Sequence, residues 1–95
     1  MTVPTWKILL VTTKRFSVKQ LVQFKKKLDP VLEEEKFICL DFSKVRFIDS
    51  AMITMLVNLT KRLQTSEGNL KIINVDDDVK QIFELVNLHD LVIIS

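Results

Sequence analysis

The chain has 95 residues, of which 47% are hydrophobic and 27% are charged, and its formal net charge is +2. This length and composition predict one globular domain spanning residues 1–95. The small charge argues against a nucleic-acid partner, and a single cysteine and a single glycine exclude an internal disulfide, a cysteine-based metal cluster and a glycine-rich phosphate loop.

The sequence carries no pattern that would direct the chain out of the cytoplasm or into a membrane. The amino-terminal residues do not resemble a signal peptide, and no apolar run reaches the ~20 residues needed to cross a bilayer. We therefore expect a cytoplasmic protein that does not insert into a membrane.

Charge is distributed unevenly along the chain. Residues 1–36 carry eight Lys or Arg and four Asp or Glu, whereas residues 37–95 carry six Lys or Arg and eight Asp or Glu. The run Lys25-Lys26-Lys27 lies in a helical pattern, and a solvated helix face is its preferred interpretation.

Short apolar segments predict four strands, which span residues 6–11, 37–42, 70–75 and 91–94. The second segment is apolar nearly throughout, a pattern typical of a strand in a sheet that is covered on both faces. It contains Cys39, which is expected to be buried as a small hydrophobic residue.

The first of three predicted helices begins with a capping box formed by Ser17 and Gln20. Its apolar positions recur at spacings of three and four, at Leu21, Phe24, Leu28 and Leu32. Pro30 predicts a kink or a break, with Asp29 as the cap of a new turn.

The second helix is predicted from Ser50 to Leu63, and Gly68 is expected to end it. A third helix is expected to be capped by Asp78, with Gln81 three residues later, and to turn three apolar side chains inward: Ile82, Leu85 and Val86. The run Asp76-Asp77-Asp78 suits helix capping better than metal binding, because consecutive carboxylates on a turn point in different directions.

Strands that alternate with helices predict an α/β fold with mostly parallel strands. Folds of this class place their functional residues in the turns after the carboxyl ends of the strands. Asp49-Ser50 lies just beyond the second predicted strand and opens the second helix. The sequence therefore directs attention to this pair.

Catalysis is not expected. A hydrolase would need Ser50 to converge with His89, the only histidine, and the adjacent Asp49 does not resemble the group that orients a catalytic base. No cofactor or metal is expected either. The sequence predicts a protein that acts by binding.

The segment from Leu40 to Leu56, LDFSKVRFIDSAMITML, resembles the STAS domain, the family of bacterial anti-sigma factor antagonists and of the cytoplasmic tails of sulphate transporters. The family pattern is an aspartate-containing strand, a short turn, two apolar residues, and an Asp-Ser/Thr pair leading into a helix. Residues 69–94 also resemble the end of the domain, so the resemblance covers about residues 37–95.

The resemblance implies a mixed β-sheet flanked by helices. STAS domains normally begin with a hairpin, but this chain has only about a dozen residues before its first helix. We therefore expect a shortened N-terminus and an open sheet edge, through which a homodimer could form.

The resemblance also implies a partner. In the anti-sigma factor antagonists, the domain binds a serine kinase that doubles as the anti-sigma factor, and phosphorylation at the start of this helix releases the kinase. By this resemblance Ser50 is the phosphorylation candidate, with Asp49 as its helix-capping neighbour. The implied partner-binding residues are Asp41, Ser43, Asp49, Ser50, Ala51 and Met52.

The match differs between branches of the family. In the sporulation-type antagonists the modified serine comes two positions after the aspartate and is followed by Gly-Leu-Gly, but here that position is Ala51. In the stressosome-type members the modified hydroxyl directly follows the aspartate, as Ser50 does.

Other interpretations stay open. Asp49 and Ser50 also fit an ordinary helix start, and the protein would then be an unswitched binding module. A further alternative is a small STAS subunit bound to the ATPase of a lipid-transport ABC complex.

Overall fold

Short strands alternate with helices along the chain in the computed structural model, which describes residues 3–95. The strands are β1 (Lys7–Leu10), β2 (Arg15–Phe16), β3 (Phe37–Asp41), β4 (Phe47–Ile48), β5 (Asn69–Ile73) and β6 (Ile93–Ile94). The helices are α1 (Leu21–Glu34), α2 (Ser50–Thr65) and α3 (Asp77–Leu85), with single 3-10 turns at Val18–Gln20 and Leu88–Asp90. The predicted α/β fold is confirmed.

The main sheet has the strand order β1-β3-β5-β6, and all of its pairings are parallel. Each new strand is therefore added at the same edge, after a helix. Because parallel crossovers are right-handed, this order places all three helices on one face of the sheet. Within the described residues, β1 and β6 are the two edge strands of this sheet.

Burial follows this one-sided arrangement. Side chains that alternate along β3 and β5 toward the helices are fully buried and join the core: Ile38, Leu40, Leu70 and Ile72. The other face carries no helix, and the prediction that residues 37–42 are covered on both faces is wrong. Cys39 lies on this open face and is nevertheless buried, as predicted, between Ile8 and Lys71, its register neighbours.

A second ladder of two residue pairs joins β2 to β4, with Arg15 opposite Phe47. It was not predicted, because two residues are too short to show an apolar alternation. Phe16 of β2 is fully buried and packs edge-on against Phe24 and Phe42. This ladder holds the segment before α1 against the segment before α2.

Of the kink or break predicted at Pro30, the break is wrong, because helix α1 continues through this residue and Asp29 caps no new turn. Proline removes the amide that would bond to the carbonyl one turn earlier, at Lys26. Both residues lie on the exposed side, where water can satisfy that carbonyl. The core-facing side continues past the proline, because Val31 still packs against the core and its carbonyl accepts from the amide of Glu35 at 2.8 Å.

Gly68 was predicted to end α2, but a different residue turns the chain there. The amide of Gly68 donates to the carbonyl of Leu63 at 2.7 Å and that of Glu67 to Gln64 at 3.0 Å, the two bonds of a Schellman motif. The left-handed residue is Glu67, with φ 65°, and not Gly68. Gly68 is needed for space, because a methyl group there would collide with the backbone carbonyl of Lys36.

The N-cap of helix α3 lies two residues before its predicted position. Asp76, not Asp78, is the N-cap, and its carboxylate accepts from the amide of Asp78 at 3.1 Å. The predicted inward face is partly wrong: Ile82 packs against the core, but Leu85 is 83% exposed and Val86 is also exposed. The buried side chains of the helix are Val79 and Phe83.

The acidic run at the start of α3 acts as predicted. Asp76 caps the helix, and Asp77 and Asp78 stand in its first turn, where they face the positive end of the dipole. In residues 3–95, no group of three His, Cys, Asp or Glu side chains is arranged to hold a metal ion. Over the same range, no helix combines the length and the apolar character that a bilayer crossing requires.

Candidate functional site

The loops after β3 and β5 meet at the carboxyl edge of the sheet. Oδ1 of Asp41 accepts from the amide of Ser43 at 2.9 Å and from Nδ2 of Asn74 at 3.2 Å, so one carboxylate ties the two loops together. The backbone hydrogen bond from Ser43 keeps the pKa of Asp41 below its ordinary value. Asp41 is half-buried, and Ser43 is exposed.

Asp49 joins two parts of the chain at the start of α2. Its Oδ1 accepts from the amide of Met52 at 3.0 Å, which makes Asp49 the N-cap of the helix. Its Oδ2 accepts at 2.9 Å from the amide of Val18, a residue 31 positions earlier in the chain. The carboxylate therefore fixes the start of α2 against the turn that leads into α1.

Ser50 is the first residue of α2 and is exposed. The helix is capped by Asp49, so the hydroxyl of Ser50 is not required for capping. Thr54 donates its hydroxyl to the carbonyl of Ser50 at 3.0 Å, which engages the backbone of Ser50 and leaves its side chain on the surface.

The next two residues point in opposite directions. Ala51 is exposed beside Ser50, whereas Met52 is 0% exposed and belongs to the core. Met52 was predicted to contact a partner, and that prediction is wrong, because the helix turns its side chain toward the sheet. Its amide still holds the cap.

Three exposed apolar side chains, in the two segments that Asp49 ties together, were missed by the sequence analysis. Val18 is 55% exposed, Val22 is 63% exposed, and Phe47 is also exposed, with the Arg15 guanidinium 4.7 Å from its ring centroid. We call the set Val18, Val22, Phe47, Ser50 and Ala51 the Ser50 surface. Their exposure could have been predicted for Val18 and Val22, because neither residue belongs to the apolar stripe that α1 turns toward the core.

The structure divides the predicted site residues into two groups. Asp49, Ser50 and Ala51 form the start of α2, whereas Asp41 and Ser43 are hydrogen-bonded to each other in the loop after β3. Arg46, which was not predicted as a site residue, contacts the second group: its guanidinium donates to the carbonyl of Ser43 at 2.9 Å and lies 3.8 Å from Asp76.

Ser50 and His89 do not come together. His89 lies in the turn before β6, at the amino edge of the sheet, and its Nε2 is 3.6 Å from Oδ1 of Asp90. The neighbouring Leu91 accepts from Gln64 at 3.5 Å, so this turn is at the far end of α2. The length of α2 thus separates the two side chains by roughly 20 Å, and the hydrolase arrangement is absent.

The sequence profile of the STAS domain matches residues 13–95. No curated protein matches the sequence significantly.

Two solved structures have a similar fold. The first, described as an anti-sigma factor antagonist from Thermotoga maritima, has a TM-score of 0.80 and 23% identity, with 92% of this chain and 77% of that chain covered. The second is the Bacillus cell fate determinant SpoIIAA in its phosphorylated form, with a TM-score of 0.70, 13% identity, and coverage of 100% and 86%. With the profile match extending over most of its length, this chain belongs to the STAS domain family.

Proposed function

We propose that this chain is a cytoplasmic regulatory module that binds another protein through the Ser50 surface and is switched by phosphorylation of Ser50. One observation carries the proposal: Ser50 is exposed at the start of α2, while Asp49 provides the cap. The hydroxyl is accessible to a kinase, and its modification leaves the capping residue in place.

The proposed partner is a serine kinase that doubles as an anti-sigma factor. Membership of the STAS family supports a regulatory protein-binding role, as does the fold shared with a protein described as an anti-sigma factor antagonist. The exposed apolar side chains of the Ser50 surface also suit this role, because neighbouring apolar groups rimmed by polar residues are typical of protein interfaces.

A phosphate on Ser50 would change this surface by about −1.5 to −2 charges at neutral pH. The amides of Ser50 and Ala51, at the first two helical positions, can share that charge. The amides of Met52 and Val18 are already bonded to the Asp49 carboxylate. Much of the new charge therefore faces outward, where it opposes a partner that fits a neutral hydroxyl and apolar side chains.

Two substitutions test the switch by calorimetric titration with the kinase. Ser50→Ala is expected to bind as the unmodified protein does, whereas Ser50→Asp is expected to bind about tenfold more weakly, since a charge is buried without a partner group. Ser66→Asp is the matched control, because Ser66 is exposed at the opposite end of α2. Equal binding by both aspartate variants would refute the switch.

Phosphorylation itself is tested by incubation with the kinase and ATP, followed by intact mass and peptide mapping. We expect one added phosphate, on the peptide containing Ser50, and none in Ser50→Ala. Modification of Ser43 instead, in the loop after β3, would contradict the assignment.

The alternative is a subunit bound permanently to the ATPase of a lipid-transport ABC complex. The observation that favours it is the exposure of Val18, Val22 and Phe47, which does not depend on the state of Ser50. Stable co-purification with such an ATPase, unaffected by Ser50→Asp, would favour the subunit over the switch.

A further inference from the structure

The first 28 residues of the chain carry basic side chains and no acidic ones. They contain seven Lys or Arg, and the first carboxylate in the sequence is that of Asp29. Lys19 stands two residues before α1, whose first turn holds no acidic residue. A cation at this end of a helix is opposed by the helix dipole, so the stability of α1 does not explain this distribution of charge.

Three of these cations lie beside the apolar side chains of the Ser50 surface. The Arg15 guanidinium is 4.7 Å from the ring centroid of Phe47, and the carbonyl of Lys14 accepts from the amide of Phe47 at 3.1 Å. Lys19 follows Val18 in the turn that is hydrogen-bonded to the N-cap of α2. The β2–β4 ladder and this turn therefore bring the three cations to one region of the surface.

Helix α1 contributes two more cations to this region. Lys25 and Lys26 follow Val22 by three and four residues, which places them on the same side of the helix as Val22. Lys25 also lines the groove between α1 and α2 together with Ala51 of the Ser50 surface. We call these exposed cations the basic rim: Lys14, Arg15, Lys19, Lys25 and Lys26.

The basic rim is not neutralised within the described part of the chain. The ion pairs found in residues 3–95 involve Arg46 and His89 and no residue of the rim. Asp29 lines the same groove as Lys25 but forms no ion pair with it. The two carboxylate oxygens of Asp49 accept from backbone amides. The charges of the rim are therefore available to another molecule.

We propose that the partner of the Ser50 surface presents an acidic protein face, whose carboxylates meet the basic rim while its apolar groups cover Val18, Val22 and Phe47. This inference rests on the proposed function, in which the Ser50 surface binds another protein. Complementary charge accelerates the encounter of two proteins and excludes partners of the wrong sign. The planar guanidinium of Arg15 suits bidentate contact with a carboxylate.

A protein face fits this surface better than a nucleic acid does. Arg15 lies over the ring of Phe47, so one face on which a base could stack is already occupied. Val18 and Val22 add exposed apolar area, which a phosphate backbone does not cover. An acidic partner would also be repelled by a phosphate on Ser50, so docking and release would depend on the same charges.

Association kinetics with the serine kinase, measured over a range of salt concentrations, test the basic rim. Arg15→Gln with Lys19→Gln is expected to lower the association rate constant about tenfold in low salt, because electrostatic steering is reduced. The dependence of the rate on salt is expected to become weaker. Lys25→Gln with Lys26→Gln is a second variant that is expected to act in the same direction, and circular dichroism verifies the folding of both.

Lys36→Gln with Lys61→Gln is the matched control for these variants. It removes the same net charge at exposed positions near the amino edge of the sheet, since Lys36 precedes β3 and Lys61 lies in the second half of α2. The Ser50 surface is at the opposite, carboxyl edge. The association rate constant of this control and its salt dependence are expected to match those of the unaltered protein.

A defined peptide tests the preference for carboxylates without the kinase. A soluble peptide of Glu residues interspersed with Leu is titrated in low salt into isotope-labelled protein, and the amide chemical shifts are followed by NMR. The shifts are expected to change at the Ser50 surface and the basic rim. The same peptide with Gln in place of each Glu is expected to leave them unchanged, as is the acidic peptide added to Arg15→Gln with Lys19→Gln.

The two measurements separate this inference from the proposed function. Kinase binding with equal rates and equal salt dependence in the rim and control variants would overturn the acidic partner and leave the proposed function intact. If the kinase does not bind, the proposed partner is wrong, and the peptide decides: shifts confined to the rim and the Ser50 surface support the inference, whereas no shifts, or an equal response to the Gln peptide, overturn it. Binding of a short DNA duplex at the rim in about 0.15 M salt would also overturn the choice of a protein face.

Discussion

Asp49 connects two distant parts of the chain through a single carboxylate. One oxygen accepts from the first turn of α2, and the other accepts from the amide of Val18 before α1. Alanine at this position would remove both acceptors, which leaves two amides without a protein partner. A helix cap alone contributes about 1 kcal/mol, so the effect of losing both bonds should exceed that of losing a cap.

We expect Asp49→Ala to lower the free energy of unfolding by about 2 kcal/mol. Asp49→Asn should cost less, because its amide oxygen can still cap α2 while its nitrogen cannot accept from Val18. Urea titration at neutral pH measures both. Asp78→Ala is the control, since Asp78 is exposed and the cap of α3 is Asp76; a loss no greater in Asp49→Ala than in this control would contradict the double role.

The predictions made from sequence for the residues around Asp49 were partly correct. Asp49 and Ser50 were recognised from their position before an apolar helix, and their placement at the start of α2 is confirmed. The interpretation of Asp49 as the helix cap beside Ser50 is also confirmed, although both residue types are favoured at a helix start. Met52 was misassigned because an apolar side chain in the first turn can face either the sheet or the solvent, and only the direction of the helix decides.

Elements with a sustained period were predicted well, and those defined by tertiary contacts were not. The alternation of strands and helices followed from apolar spacing, as the bounds of β3 and α2 illustrate. The β2–β4 ladder was not predicted, because the pairing of two segments that are distant in sequence leaves no local sequence pattern. The break at Pro30 was wrongly predicted, because the effect of a proline depends on whether the carbonyl that it leaves unpaired faces water. The sequence alone does not show which way that carbonyl faces.

The end of α2 supports a prediction about two adjacent residues. Glu67 holds a left-handed conformation that glycine adopts without strain, while Gly68 occupies a space with no room for a methyl group. Glu67→Gly should therefore raise the free energy of unfolding by about 0.5–1 kcal/mol, and Gly68→Ala should lower it by about 2 kcal/mol.

Urea titration of the two variants separates the two explanations for a glycine after this helix. If Gly68 served mainly to turn the chain, Gly68→Ala would be mild and Glu67→Gly would bring no gain. The carbonyl of Lys36 that blocks the methyl group also accepts from the amide of Asn69 at 3.0 Å, so it cannot move away without loss of that hydrogen bond.

At the scale of the whole molecule, the strand order leaves one face of the sheet without helices. The order β1-β3-β5-β6 adds each strand at the same edge, so every crossover helix lies on the same side. The sequence of β3 concealed this, because its open-face residues Phe37 and Cys39 are apolar like those of the core face. The ring of Trp6 packs edge-on against Phe37, with 5.4 Å between the ring centroids, and partly covers it.

Two neighbouring isoleucines of β5 test this asymmetry within one strand. Ile72 is fully buried under the helices, whereas Ile73 points to the open face and is half-buried. Ile72→Ala should lower the free energy of unfolding by about 3–4 kcal/mol, because it leaves a cavity in the core. Ile73→Ala should lower it by about 1 kcal/mol, because little buried area is lost. Urea unfolding of the two variants measures the difference directly, and the identical substitution in adjacent positions cancels the change in strand propensity. Equal losses would mean that the second face is covered in solution, by a surface that the arrangement of the three helices does not provide.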